Sequence, residues 1–299
     1  VDRCLRDIMD IDIPFGGKLI VFGGDFRQTL CVTDGNRAET INDCIKMSPL
    51  WQNINIRRLT INERVKRNMN ENNKERLQEW SKYLLRVGNG QETVPDEIKG
   101  QFLHPDILKL PKNIISKATN PEQLVSAIYP NLSYEINTTE MENSAILTPT
   151  NKAVDFLNNI ALKRVQAPER ILYSQDSVVD NGDDASNFYS EEFLNGINTP
   201  GLPAHALTLK EGVPIMLLRN LSPFKGCCNG TRLIIEKIGT RVLTTRIITG
   251  PENRKGKRYF VHRVTLITKP KKYGFSLKRF QFPVRVAYAM TINKSQGQT

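Results

Sequence analysis

Three polar segments that follow apolar runs could carry chemistry, and the first is residues 23–28 (GGDFRQ). It follows the apolar run 18–22, and open α/β sheets contact ligands at the carboxyl ends of their strands. The amide of Gln28 donates and accepts hydrogen bonds without charge, so it could orient a water or sense a γ-phosphate. The alternative is a turn in which glycine supplies a positive φ and Asp25 caps the next segment. Taken alone, the pattern favours the turn.

The second segment is residues 59–64 (LTINER), which ends on Arg64 after a run typical of a strand. The guanidinium group is a rigid fork of donors, and arginine fingers use it to contact a phosphate. The alternative is a surface arginine paired with Glu63 or another neighbour, which is the commoner fate of such a residue. The segment by itself is weak support for a site.

The third segment is the run 288–299 (YAMTINKSQGQT) at the end of the sequence. Its polar side chains include Thr291, Lys294, Ser295 and Gln296. Hydroxyl, amide and ammonium groups of this kind can hold a phosphodiester backbone without reading bases. The pattern therefore indicates a loop that grips a nucleic-acid strand.

A second platform of the same kind follows the apolar residues 145–147. It contains Thr148, Pro149 and Asn151, and helical periodicity begins directly after it. For both platforms the alternative is a polar cap on a helix N-terminus, which these residue types make well.

Apolar periodicity predicts the elements that position these segments. Helical spacing predicts helices at 2–9, 72–87, 122–129 and 151–161. Short apolar runs predict strands at 18–22, 54–61 and 145–147, of which 18–22 reads as a buried parallel strand. A strand followed by a polar turn and a helix is the pattern of an α/β domain. The acidic, turn-rich residues 176–187 predict an exposed loop.

The pattern changes beyond the loop predicted at 176–187. Short runs rich in β-branched residues and separated by Gly, Pro or Asn occur at 213–218, 232–238, 241–248 and 257–267. We therefore predict a small all-β insert at 222–280, with a barrel as one form it could take. The α/β pattern resumes at 282–289.

Composition bounds the class of protein. The 299 residues contain 42 Lys and Arg against 31 Asp and Glu, and a net charge of +11 favours a polyanionic partner such as nucleic acid over a merely soluble basic protein. The five cysteines have no zinc spacing, which predicts a reducing compartment and no metal site in this chain. No stretch approaches about 18 apolar residues, so no membrane association is expected.

In its ordered set of motifs, the chain resembles the Pif1 family of DNA helicases, and most closely the branch found in Helitron-type transposons. The resemblance covers nearly the whole chain, and the agreement of seven motifs in one order makes chance implausible. The motifs are residues 24–28, 59–64, 147–149, 212–221, 228–233, 281–283 and 294–299, and segments 193–195 and 201–205 support the Helitron branch.

The resemblance implies an α/β fold of RecA-like parallel-sheet lobes with a small all-β barrel insert. The implied limits are 1–58 for the remnant of the first lobe, 59–221 for the first part of the second lobe, 222–280 for the barrel and 281–299 for the last part of the second lobe. It further implies 5′–3′ movement on single-stranded DNA driven by ATP bound between the lobes with Mg²⁺, whose ligands fall mostly outside this chain. Duplex junctions are expected as a further partner.

The resemblance also implies roles for individual residues. Gln28 falls on the glutamine that senses the γ-phosphate and Arg64 on an arginine that contacts it, so both are expected to be catalytic. Gly24 and Asp25 are expected to lie at the nucleotide. Thr148, Pro149, Asn151, Thr291, Lys294, Ser295 and Gln296 are expected to bind DNA.

The chain departs from the family pattern in one large respect. It contains no Gly-x-x-x-x-Gly-Lys-Ser/Thr run, so we expect these 299 residues alone to hydrolyse no ATP. A partial helicase chain and a non-catalytic, strand-binding remnant of a helicase both fit, whereas an unrelated structural α/β protein fits the charge and motifs poorly. We expect the nucleus, with the mitochondrion as second choice, and repair, recombination, telomere maintenance, replication and transposition all stay open.

Overall fold

The computed structural model describes residues 1–28, 33, 36–67, 73–92, 108, 110–132, 138–179, 189–199, 201–268 and 274–296. The side chains of Arg37, Arg64 and Thr138 also lie outside the described part. The chain divides into two compact units, residues 1–115 and 116–299, which are called unit 1 and unit 2 below. The domain limits expected from the sequence, at 58/59, 221/222 and 280/281, stay predictions.

Unit 1 is helical in its described residues. The helices predicted at 2–9 and 72–87 are confirmed, the second as Lys74–Gly88. Short 3-10 turns occur at Pro14–Gly17, Ile45–Met47, Pro49–Asn53 and Lys112–Ile114. The α-helices are Asp2–Met9 (α1), Arg37–Asn42 (α2), Glu63–Arg67 (α3) and Lys74–Gly88 (α4).

The strands predicted at 18–22 and 54–61 in unit 1 are wrong. Both segments lack strand pairing, and Leu19 is 92% exposed while Leu59 is fully exposed. An apolar run becomes a strand only where a neighbouring strand takes up its backbone hydrogen bonds. No strand is present among the described residues of unit 1, so these runs have no such neighbour.

Unit 2 contains the sheets. Its helices are Pro121–Ile128 (α5), Thr138–Asn143 (α6), Asn151–Arg164 (α7), Glu191–Asn195 (α8) and Ile292–Ser295 (α9). Its strands are Ile146–Thr148 (β1), Glu169–Tyr173 (β2), Gln175–Val178 (β3), Ala206–Lys210 (β4), Pro214–Leu217 (β5), Arg232–Ile238 (β6), Val242–Ile247 (β7), Arg258–His262 (β8), Val264–Ile267 (β9), Leu277–Gln281 (β10), Val284–Val286 (β11) and Ala289–Thr291 (β12). The helices predicted at 122–129 and 151–161 are confirmed as α5 and α7.

Antiparallel pairing dominates the sheets of unit 2. The strand orders are β11-β5-β6-β7-β8, β3-β10-β9 and β2-β4. The pair β1-β12 is parallel, and it is the one parallel pair among the described strands. Among the described strands, the expected parallel-sheet lobe is therefore represented by this single pair.

The predicted β insert is confirmed as a run of strands, with two corrections. The run predicted at 257–267 breaks at Arg263 into β8 and β9. The five-stranded sheet also extends past both limits of the insert, since it includes β5 and β11. Its edge strands β8 and β11 do not pair with each other, so the described strands form no closed barrel.

The loop predicted at 176–187 is wrong at its start, because residues 176–178 belong to β3. Asp176 lies in β3 opposite Arg279 of β10, and both side chains are almost fully buried. Arg279 Nε donates to Asp176 Oδ1 at 2.9 Å, and its Nη2 to Oδ2 at 2.6 Å. The first acidic residue of the predicted loop is therefore a buried ion-pair partner in a strand. Residues 180–188 lie outside the described part.

The core of unit 2 includes buried residues of the five-stranded sheet and of α7, which packs against β1, β12 and α5. Val154 and Ala161 of α7 and Leu233, Leu243 and Val261 of the sheet are buried. None of the helices in the described ranges is long and apolar enough to cross a membrane.

Candidate nucleic-acid interface

The two polar platforms predicted from the sequence lie side by side. Strands β1 and β12 pair in parallel, with Thr148 directly opposite Thr291. Neighbouring strands are about 4.8 Å apart, and parallel strands end at the same edge of a sheet. The residues that follow each strand therefore leave from one edge, although about 140 residues separate them in the chain.

The threonine side chains of the loop after β1 form hydrogen bonds within that loop. The hydroxyl of Thr148 donates to the carbonyl of Thr150 at 2.9 Å and accepts the backbone N–H of Thr150 at 3.3 Å. Thr150 Oγ1 accepts the N–H of Ala153 at 3.3 Å and so caps α7. The capping alternative is confirmed for Thr150, while Pro149 and Asn151 are exposed at the edge.

The loop after β12 is not capped in this way. Thr291 occupies the N-cap position of α9, but its side chain makes no capping hydrogen bond and is half-buried. Ser295 Oγ donates to the carbonyl of Ile292 at 2.7 Å, and Gln296 is exposed. The capping alternative is therefore wrong for Thr291. Residues 297–299 lie outside the described part.

Lys294 is fixed by a residue that sequence reasoning missed. Its Nζ donates to Asn229 Oδ1 at 2.6 Å, and the backbone N–H of Asn229 donates to Asn220 Oδ1 at 2.7 Å. Partial burial lowers the pKa of Lys294 below its usual value. Asn229 lies in a segment quoted for the family resemblance, but nothing local in its sequence indicates a contact 65 residues away.

A buried asparagine holds the backbone just before this loop. Asn158 on α7 donates through Nδ2 to the carbonyls of Val286 at 2.9 Å and Ala289 at 3.3 Å. Its Oδ1 accepts the N–H of Ala289 at 2.8 Å. One amide thus uses both its donor and its acceptor groups on the last residue of β11 and the first residue of β12, which fixes both against α7.

Tyr129 and Arg232 hold the same segment from other elements. The Tyr129 hydroxyl donates to the carbonyl of Tyr288 at 2.9 Å, and Arg232 Nη2 donates to the carbonyl of Ala287 at 3.1 Å. Burial raises the pKa of Tyr129 to about 12 and lowers the pKa of Arg232. Residues 286–289 therefore receive hydrogen bonds from three buried side chains, and we call Asn158, Tyr129 and Arg232 the buried clamp.

A further cation stands at the edge. Arg285 of β11 donates through Nη1 to Asn151 Oδ1 at 3.1 Å and through Nη2 to the Asn151 carbonyl at 3.3 Å. Its Nε also donates to Asp155 Oδ1 at 3.1 Å. Asn151, predicted to bind DNA, is thus held by an arginine that the sequence did not single out.

In unit 1 the segment 23–28 is an exposed turn. Asp25 Oδ1 accepts the N–H of Arg27 at 3.0 Å, so the capping alternative is confirmed for Asp25. Gly23 and Gly24 do not have positive φ, and a Cβ at either position would meet nothing within 4 Å. The turn does not require these glycines, which leave the backbone open to a close neighbour.

Two contacts tie this turn to the rest of unit 1. Phe26 packs edge-on against Trp51, with ring centroids 5.9 Å apart, and Lys46 lies over the Phe26 ring. Arg27 Nε donates to Asn89 Oδ1 at 2.9 Å at the end of α4.

The two residues predicted to be catalytic are placed to different degrees. Gln28 is exposed, and its N–H donates to the carbonyl of Asp25 at 3.2 Å. Arg64 is the second residue of α3, a helix that Asn62 begins by accepting the N–H of Val65 at 3.1 Å. The side chain of Arg64 lies outside the described part, so its partnership with Gln28 stays a prediction.

The residues of this turn fit a phosphate but not a metal ion. Gly24 offers an open backbone and Gln28 an exposed amide, whereas the Asp25 carboxylate is engaged by Arg27. Within the described ranges, no group of three or more His, Cys, Asp and Glu side chains is arranged to hold a metal. We therefore assign no Mg²⁺ site to the described residues. The nucleotide role predicted for Asp25 stays a prediction.

Two family models match this chain. Residues 1–98 match the PIF1-like helicase family, and residues 192–238 match the 2B domain of the DNA helicase Pif1. Two curated relatives are both named ATP-dependent DNA helicase PIF1. The Xenopus laevis protein is 32% identical over 99 residues and the human protein 35% identical over 97, in each case 31% of this chain and 14% of the relative.

Solved structures give the same likeness at the level of fold. The Pif1 helicase from Candida albicans aligns with a TM-score of 0.58 and 20% identity, over 100% of this chain and 60% of that one. Bacteroides Pif1 bound to ssDNA aligns with a TM-score of 0.54 and 18% identity, over 99% and 58%. The chain thus spans rather more than half the length of these solved structures.

The fold is accordingly a mixed α/β arrangement that matches part of a Pif1 helicase, with antiparallel sheets in the region of the 2B domain. Two models of one family thus match separate regions of this chain in order, and on this evidence the chain is similar to PIF1-like helicases.

Proposed function

We propose that this chain is the coupling and strand-gripping part of an ATP-dependent 5′–3′ DNA helicase. The observation that carries the proposal is the parallel pairing of β1 with β12, which brings two polar loops to one edge. In the proposal, β1, β12 and α7 belong to the second RecA-like lobe, and residues 1–58 to the remnant of the first.

The edge groups suit a sequence-neutral grip on single-stranded DNA. The Thr291 hydroxyl, the Lys294 ammonium, Ser295 and Gln296 supply donors on one loop, and Asn151 supplies an amide on the other. Contacts from such groups go to phosphates and position the strand without reading its sequence. A motor that moves along any sequence needs contacts of this type.

The nucleotide side of the proposal rests on unit 1. Gly24 would bring its open backbone close to a phosphate, and Gln28 would sense the γ-phosphate through its amide. Arg64 would contact the same phosphate. Bound ATP would supply the γ-phosphate that these groups contact, with Mg²⁺ held mostly by groups outside these residues.

The relatives support the choice of partner. Solved relatives include Pif1 helicases bound to ssDNA and at forked dsDNA, and one in complex with ADP-AlF3 and ssDNA. We extend this to single-stranded DNA and duplex junctions for this chain, with the nucleus as compartment and the Helitron branch as its group.

Binding of a fluorescent deoxythymidine oligonucleotide tests the grip. Lys294→Gln should weaken binding about tenfold, the effect of one charged hydrogen bond, and should reduce the salt slope by about 0.7. Lys163→Gln is the matched control, because Lys163 is exposed on α7 at about 18 Å along the helix from Asn151. Equal losses in both variants would contradict the proposal.

A further inference from the structure

The loop between β5 and β6, residues 218–231, contains parts of two motifs that the proposed grip does not use, 212–221 and 228–233. Its backbone is closed at the base, because Ser222 and Cys227 exchange two N–H to carbonyl hydrogen bonds, each of 3.0 Å. The side chain of Cys227 is fully buried in the core. The loop is therefore anchored to the folded sheet and does not hang free.

A tight turn within this loop presents Asn229. The N–H of Thr231 donates to the carbonyl of Cys228 at 3.0 Å, and Gly230 has a φ of 96°, a conformation that favours glycine. The Thr231 hydroxyl accepts the N–H of Cys228 at 3.1 Å and donates to the carbonyl of Gly226 at 2.8 Å. Asn229 is therefore an exposed residue on a turn whose backbone is fixed on both sides.

Asn229 forms hydrogen bonds with two different segments. Its backbone N–H donates to Asn220 Oδ1 at 2.7 Å, and its own Oδ1 accepts Lys294 Nζ at 2.6 Å. Asn220 thus fixes the backbone of Asn229, and Asn229 fixes the ammonium group of Lys294. Two hydrogen bonds in series therefore join the end of the motif 212–221 to the loop after β12.

The partner of Lys294 is a neutral amide. Within the described ranges Lys294 forms no ion pair with a carboxylate, and burial alone lowers its pKa. Its positive charge is therefore not neutralised by the protein. An ammonium group has three donors, so two remain for phosphate oxygens after Asn229 has taken one. Asn229 thus holds the cation in place and leaves its charge available to a strand.

We infer that Asn229 is a positioning residue of the strand grip, which holds the Lys294 ammonium where a phosphate binds. The inference rests on the proposed function of the loop after β12. A free lysine side chain loses rotamer freedom when it contacts a phosphate, and this loss weakens binding. Where Asn229 holds the side chain, that freedom is already lost before the strand binds. The loop between β5 and β6 thereby raises the affinity without contacting DNA itself.

Binding of a fluorescent deoxythymidine oligonucleotide to the 299-residue chain at several salt concentrations tests the inference. Asn229→Ala releases Lys294 but keeps its charge, so affinity should fall about fivefold while the salt slope stays unchanged. Lys294→Gln, by contrast, should reduce the slope by about 0.7. Asn253→Ala is the matched control, because Asn253 is exposed on another turn of the insert, and it should change affinity less than about twofold.

Two further substitutions of Asn229 separate positioning from a structural role. Asn229→Gln keeps the amide acceptor and should retain more affinity than Asn229→Ala. Asn229→Asp holds Lys294 through a carboxylate, which neutralises it and should reduce the salt slope by about 0.7. The carboxylate also favours the ammonium form, so the remaining affinity should persist to a higher pH than in the wild type. One pH profile shared by all three variants, with unchanged melting temperatures, would overturn the inference.

The double variant Asn229→Ala with Lys294→Gln separates failure of the inference from failure of the proposed grip. If Asn229 acts through Lys294, Asn229→Ala should cause no further loss once Lys294→Gln is present. Losses that multiply would overturn the inference, as would a loss in Lys294→Gln with none in Asn229→Ala, and both results would leave the grip intact. Full affinity in Lys294→Gln would contradict the grip and, with it, the inference.

Discussion

The same local pattern, an apolar run followed by a polar turn, has opposite outcomes in the two units. In unit 2 the run before Thr148 becomes β1, pairs with β12 and buries Ile146. In unit 1 the run before Gly23 stays unpaired among the described residues, and Leu19 and Val21 are about nine-tenths exposed. The pattern therefore predicts where a site can form. The polar turn is held in place only where a partner strand pairs with the apolar run before it.

The supporting polar contacts differ in the same way. The turn at Asp25 is held by exposed local hydrogen bonds, whereas residues 286–289, which lead into β12, receive hydrogen bonds from the buried clamp. Buried polar groups cost several times more to disrupt than exposed ones, because a partner left behind is unsolvated. Equivalent substitutions in the two units should therefore differ in their effect on the free energy of unfolding.

The largest expected effect is on the two ion pairs. Asp176→Asn leaves Arg279 buried without its counter-ion and should lower the free energy of unfolding of unit 2 by about 3–5 kcal/mol. Asp25→Asn removes a pair that is 3.7 Å long and largely exposed, and should cost less than about 1 kcal/mol in unit 1.

Urea titration can follow the two units separately. Both tryptophans, Trp51 and Trp80, belong to unit 1, so their fluorescence reports that unit. Far-UV circular dichroism near the β-sheet band reports unit 2. A comparable cost for the two substitutions would remove the distinction between the units.

The second effect concerns the clamp. Asn158→Leu removes three hydrogen bonds to the backbone of residues 286–289 and leaves buried groups unsatisfied, so it should cost about 2–3 kcal/mol. Asn159→Leu is the matched control, since Asn159 is the exposed neighbour on α7, and should change stability by less than about 0.5 kcal/mol. Both values come from the same circular dichroism titration, and equal costs would contradict a holding role for Asn158.

The position of such contacts explains what the sequence could and could not predict. Local periodicity correctly predicts α1, α4, α5 and α7, because the hydrogen bonds of a helix join near neighbours. It also predicts most strands of the insert, where β6, β7 and β8 each pair with the next strand in the chain. The sequence does not distinguish Asn158 from other polar helix residues, because its hydrogen-bond partners lie 128 and 131 residues away. Asn229 and Arg285 could not be predicted for the same reason. The run 18–22 is wrongly predicted as a strand because periodicity contains no information about a partner strand.

A smaller effect comes from the protonation of Lys294. Burial lowers its pKa, so as pH rises the ammonium loses its proton, and with it the bond to a phosphate, before ordinary lysines do. Wild-type affinity for single-stranded DNA should therefore fall, by up to about tenfold, at a lower pH than that of Lys294→Arg. Fluorescence anisotropy at several pH values measures this, and identical profiles would exclude Lys294 as the group that titrates.

The smallest expected effect is in the unpaired run of unit 1. Leu19→Ser should change the free energy of unfolding by less than about 0.5 kcal/mol, because the side chain is already in water. Ile146→Ala, in the paired run, should cost about 2–4 kcal/mol. The titration described for the ion pairs measures both, and a large cost for Leu19→Ser would show that its run is packed in solution.

Hydrogen–deuterium exchange tests the central claim, that two polar loops at one sheet edge grip a single strand together. The 299-residue chain is compared with and without a deoxythymidine oligonucleotide of about 16 nucleotides. Backbone amides of residues 150–153 and 292–296 should slow together on binding, while those of 23–28 stay unchanged in the absence of nucleotide. Protection of one loop without the other, or of neither, would contradict the account.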